Sequence, residues 1–107
     1  MDYEITPEHV KQMADRGESF MLVDVREPWE FEIVHIEGAK HTPMGDVPGR
    51  AHKELDPDQH IVIYCHHGVR SLNMTNWLRQ QGFKKAQSMC GGIDAWSRRV
   101  DGKVRTY

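Results

Sequence analysis

Ile61-Val62-Ile63-Tyr64 is an unbroken apolar run, rich in β-branched residues and too short for a core helix. Such a run reads as a buried strand. Its C-terminal neighbours narrow the fold further. A cysteine stands at 65, a short loop contains Gly68, and helix formers run from Arg70 to Gln81 before Gly82 ends them. A strand that delivers a thiol into a tight loop at a helix N-terminus aims backbone N–H groups at the sulfur, and the helix dipole favours negative charge there. Thiols in such settings ionise more readily and act as nucleophiles near neutral pH. Cys65 is therefore the candidate nucleophile.

The same alternation extends along the chain. Tyr3-Glu4-Ile5 reads as a short edge strand. Thr6, Pro7 and Glu8 supply an N-cap, a first-turn proline and an acid for a helix over 7–16, with Val10, Met13 and Ala14 on one face and Gly17 as its stop. Phe20 to Val25 forms a second buried strand with Asp24 and Arg26 at its carboxyl end, and Pro28 opens a short helix carrying Trp29 and Ile33 on one face. A brief strand around 39–41, a helical turn over 48–54 and a turn at Asp56-Pro57-Asp58 precede the central run. After it come a helix over 70–81, with Met74, Trp77, Leu78 and Gln81 on one side, and a strand over 85–89 broken by Gly91-Gly92. Ile93, Trp96 and Val100 mark a closing helix, and Asp101 to Tyr107 is polar and predicts no element. Trp29, Trp77 and Trp96 are assigned to the core. Strands alternating with helices predict an α/β domain, a mainly parallel central sheet of about five short strands flanked by helices. Ligands bind at the carboxyl ends of such strands, which puts Asp24, Arg26 and Cys65 at one crevice.

At 107 residues the chain predicts one domain over 1–107, its core spanning about 3–100. A net charge of -2 argues against nucleic acid and membrane surfaces as partners. No apolar run is long enough for a membrane span, and Met1-Asp2-Tyr3-Glu4 lacks the character of a signal peptide, so the expected location is cytoplasmic. The two cysteines, Cys65 and Cys90, have no CxxC spacing and are expected as free thiols. The seven histidines offer no helical i, i+4 pair with a third ligand beside it, and no metal is expected.

Three stretches resemble one family. Val23-Asp24-Val25-Arg26-Glu27 with Glu30-Phe31, His35-Ile36 and Gly38-Ala39 is similar to the first signature of rhodanese-homology domains. Cys65 to Ser71 is similar to their active-site loop, and Gly91-Gly92-Ile93-Asp94-Ala95-Trp96 to their closing signature. The resemblance is to the single-domain, thiosulfate sulfurtransferase-like type, and it covers about residues 3–100. Three departures accompany it: Val34 stands where glycine is common, Cys90 precedes the Gly-Gly pair, and the loop holds two histidines and no lysine.

The resemblance implies a ping-pong sulfurtransferase in which Cys65 takes a sulfane sulfur from a small anionic donor such as thiosulfate. The sulfur is held as a persulfide, with no other cofactor, until it passes to a thiol, protein or cyanide acceptor. The backbone amides of His66, His67, Gly68, Val69 and Arg70 are the expected cradle for its charge, Gly68 closing the loop at positive φ and Arg70 steering anions. Asp24 is expected to support the loop by fixing its geometry, with a catalytic role as the alternative; Arg26 is either a salt-bridge partner in that support or a substrate contact, and His35 is expected to make a structural hydrogen bond at a turn. His66 and His67 line the rim, where partial positive charge attracts anions below about pH 7. Cys90 is expected to be a buried filler, with resolution of the persulfide as the sharper alternative. Four residues, His66 to Val69, separate Cys65 from Arg70. The related phosphatases have one more, a wider ring suited to phosphate, and this weighs against a small cysteine phosphatase or arsenate reductase. A non-catalytic docking module, the other alternative, would need neither Cys65 nor Arg70. The sequence does not give the oligomeric state.

Overall fold

The computed structural model describes residues 1–107. Strand β1 (Glu4–Ile5) leads into α1 (Pro7–Asp15), β2 (Met21–Asp24), α2 (Pro28–Ile33) and β3 (Lys40–His41). A 3-10 turn, Met44–Asp46, runs into α3 (Val47–Glu54). Beyond it come β4 (Ile61–Tyr64), α4 (Val69–Gln80), β5 (Ala86–Met89) and α5 (Gly92–Arg99). All five strands are parallel, in the spatial order β1-β5-β4-β2-β3. The architecture is the predicted α/β sheet flanked by helices, and the predicted element ends differ by a residue or two, as frayed ends do.

β4 takes the central position because it is apolar throughout. Successive side chains of a strand face opposite sides of its sheet, so a strand covered on both sides favours apolar residues at every position. Ile61 and Ile63 pack with Val23, Val25 and the α3 and α4 residues Val47, Ala51, Met74 and Leu78. Val62 and Tyr64 pack on the other side with Leu22, Met89 and the α1 and α5 residues Val10, Met13, Ile93 and Trp96. Cys65 continues the phase of Ile61 and Ile63 and belongs to the α3/α4 layer. α1 starts where expected, with Thr6 Oγ1 accepting from His9 N–H at 3.1 Å.

One expectation is corrected. Trp29 is not core: it is 59% exposed, whereas Trp96 is buried and Trp77 packs partly buried on the α4 side. The inner face of α2 meets charged groups, not an apolar layer; its buried residue is Glu30, and Trp29 lies edge-on against Tyr107 at 6.3 Å. The polar tail forms no helix or strand, as expected, and is held in place by packing. Ser97 Oγ donates to the Val104 carbonyl, and Val104 and Tyr107 pack against the α1/α5 layer, which returns residue 107 to the end of the sheet where Cys65 lies.

Candidate active site

The loop after β4 wraps a buried sulfur. Cys65 Sγ accepts from the Gly68 N–H at 3.0 Å and from the Ser71 N–H at 3.4 Å. The Ser71 hydroxyl lies 3.4 Å from the sulfur and 2.7 Å from Ser88 Oγ on β5. As a thiol, Cys65 donates to Ser71 Oγ; once the proton leaves, that hydroxyl can turn its own proton to the sulfur while Ser88 donates to it. Gly68 has φ +110 as expected, and a Cβ there would stand 3.2 Å from the Gly91 amide nitrogen.

The start of α5 fixes the loop from outside. Ile93 N–H donates to the Cys65 carbonyl at 2.9 Å and Asp94 N–H to the His66 carbonyl at 3.1 Å. Gly92 makes this approach possible, because a Cβ there would lie 2.4 Å from both carbonyl oxygens. No peptide bond in the chain is cis, and in a trans peptide the N–H points opposite its C=O. The amides of His66 and His67 therefore point away from α5.

A chain of charged groups stands beside the loop. Arg70 forks onto Glu30, Nη1 to Oε1 at 2.7 Å and Nη2 to Oε2 at 3.0 Å. Glu30 Oε1 also accepts from Glu27 N–H at 3.0 Å, and Oε2 from the Tyr107 hydroxyl at 2.7 Å. Burial pushes the Glu30 carboxyl up, but the donors from Arg70, Tyr107 and Glu27 outweigh it and hold it down at about 2. Arg26 donates to that hydroxyl at 2.8 Å and to Asp24 Oδ2 at 2.7 Å. Asp24 and Arg26 are fully buried. They brace the floor and line no crevice, touching the loop only through Tyr107 and Glu30. Arg70 likewise is no free cation, since its charge is matched by Glu30.

His66 is sandwiched, its ring stacked 4.0 Å from His67 on one side and 3.9 Å from Tyr107 on the other. Its Nε2 is buried without a hydrogen-bond partner. Burial and the neighbouring His67 lower its pKa, so it resists becoming the cation expected at the rim. His66, His67 and Asp94 offer donor atoms within 4.8 Å of one another, the one grouping that could hold a metal. Arg98 Nε already donates to both oxygens of Asp94, at 3.1 and 3.2 Å, a cation in competition with any ion there.

The family model of the rhodanese-like domain matches residues 6–99. The chain belongs to that family. Thiosulfate sulfurtransferase GlpE of Haemophilus influenzae is 38% identical over 89% of the chain and 88% of its own length. YrkF of Bacillus subtilis, a candidate sulfur carrier, is 40% identical over 92% of the chain, but the chain spans only about half of it, 52%. Among solved structures, a rhodanese-like domain protein of Staphylococcus aureus superposes with a TM-score of 0.85 at 26% identity, covering 99% of both chains. The two relatives, GlpE and YrkF, carry the names of a thiosulfate sulfurtransferase and of a sulfur carrier protein.

In this rhodanese-like chain Cys65, His66, His67 and Gly68 form the loop, and Val69 and Arg70 open the first turn of α4. Of the five expected amide donors, Gly68 alone reaches Sγ, joined by Ser71. Val69 is 71% exposed. His35 makes its expected hydrogen bond, Nδ1 to the Phe31 carbonyl at 3.0 Å. Cys90 is partly exposed and free, its amide donating to the Ile5 carbonyl. Glu30, Ser71, Ser88 and Tyr107 carry interactions that sequence reasoning did not assign. Ser71 had a local signal, a hydroxyl in the first turn after a cysteine loop; Tyr107 had none.

Proposed function

We propose that the protein is a sulfurtransferase working through a persulfide on Cys65. The observation that carries this reading is the sulfur itself, buried in a ring of only four intervening residues with the Gly68 and Ser71 N–H groups donating to it. Donors placed there stabilise negative sulfur before and after transfer. The amides of His66 and His67, turned away from α5, and those of Val69 and Arg70 are the proposed donors to an outer sulfur. The Cys65 thiolate attacks the sulfane sulfur of a donor such as thiosulfate; a Cys65–sulfur bond forms, the sulfur–sulfur bond of the donor breaks, and sulfite leaves with the electron pair. A thiol, protein or cyanide acceptor then attacks the outer sulfur and the thiolate leaves. The name of GlpE supports thiosulfate as donor, and that of YrkF supports handover to a protein. Arg70, with Glu30 behind it, forms the polar wall of the donor site, and Asp24 and Arg26 hold that wall. No helix is long and apolar enough to cross a membrane, and the proposed setting is the reducing cytoplasm, where both thiols stay free.

Intact mass spectrometry after incubation with thiosulfate tests the reading. A gain of about 32 Da on wild type, absent in Cys65→Ser and removed by cyanide, is the expected result. No adduct on an alkylatable Cys65 would remove thiosulfate as donor, and an adduct retained in Cys65→Ser would move the chemistry to Cys90.

A further inference from the structure

We infer that Tyr107 is a positioning residue of the donor site, setting the charge that a small anion meets beside Cys65. The inference rests on the sulfurtransferase reading for its meaning, though its test does not. Arginine has donors only, so Arg26 Nη1 must donate to the Tyr107 oxygen, and the phenolic proton can then only go to Glu30. The polarity of the chain is fixed: Arg26 to Tyr107, Tyr107 to Glu30, and Arg70 to Glu30 from the other side. A carboxylate offers about four lone-pair sites, and Glu30 has four donors, two from Arg70 and one each from Glu27 and Tyr107. One carboxylate orientation satisfies them all, and it places the guanidinium of Arg70. The Tyr107 proton also offsets part of the Glu30 charge, so Arg70 is less neutralised as seen from the sulfur. The same ring covers His66 at 3.9 Å, with the two planes within 7°. Tyr107 thus holds two side chains of the site from a segment outside the matched family region.

The test uses two alkylating reagents on Cys65, with Cys90→Ser leaving one thiol. The ratio of the iodoacetate rate to the iodoacetamide rate reports the charge beside the sulfur and cancels changes in its intrinsic reactivity. It needs no sulfur transfer, so it separates failure of this inference from failure of the persulfide reading. Tyr107→Phe keeps the ring and removes the proton; the ratio is expected to fall about threefold or more, as it should in Arg70→Gln. In the double variant the two losses should not add. With thiosulfate as substrate, Tyr107→Phe should raise KM and leave kcat nearly unchanged. Circular dichroism checks that the phenylalanine variant is folded at the assay temperature, and if it melts there both rates are read below its Tm. A ratio unchanged in Tyr107→Phe while Arg70→Gln lowers it would reduce Tyr107 to a packing role. A ratio unchanged in Arg70→Gln as well would overturn the inference outright.

Discussion

Gly92 shows how one missing side chain shapes the site. It sits at φ +61 with two loop carbonyls where a Cβ would be, and neither oxygen can retreat without dragging the Cys65 peptide with it. Gly92→Ala should therefore cost about 2 kcal/mol or more and alter the alkylation rate of Cys65, because strain and clash act together on the loop backbone. Urea denaturation measures the first and iodoacetamide kinetics the second. Gly45→Ala is the control: a Cβ there meets nothing within 4 Å, and its effect should stay within about 0.5 kcal/mol. The orphaned Nε2 of His66 belongs to the same scale. The ring lies flat between His67 and Tyr107, and the stacking faces hold it with that nitrogen unpartnered.

Among the elements, the decisive joint is between the end of β2, helix α2 and the start of α4. Asp24 and Arg26 form a buried ion pair under it, and Arg26 also donates to the Glu30 and Val34 carbonyls of α2 and its cap. Asp24→Ala should cost about 3–5 kcal/mol, since it strands a buried guanidinium without its carboxylate; thermal and urea unfolding would read the loss. This joint explains which parts of the molecule the sequence revealed. β4 and the Cys65 loop were legible because their signals are local: an apolar run, a glycine at the required φ and a stretch of helix formers. Asp24, Arg26 and Glu30 were visible as a motif, but their burial was not, since it depends on helix α2 turning a carboxylate inward. The same turn put Trp29 outside, against the usual expectation for an aromatic residue at helical spacing. Tyr107 was illegible because its partners lie 77 and 81 residues away in the chain, and nothing in Asp101 to Tyr107 records them.

The whole molecule should feel the Glu30 network as an acid limb of its stability. The native carboxyl is held at about 2 against an ordinary 4.5, so the unfolded chain takes up its proton first as pH falls. Stability from this group is complete above about 4.5 and is lost as pH drops toward 2, and Glu30→Gln should flatten that part of the Tm-against-pH curve in calorimetry. His66, also depressed, adds a milder decline with the same sign as pH falls below the ordinary imidazole range. An all-parallel sheet has a further, kinetic consequence. Every strand pairing needs a crossover first, and the contacts around the sulfur close loops of 40, 77 and 81 residues. Helices form within microseconds, whereas such non-local closures come late. During refolding, helical circular dichroism should return well before the native alkylation pattern of Cys65. A chain emerging from a ribosome would likewise carry a bare thiol until β5 and the start of α5 have followed it out and closed the loop.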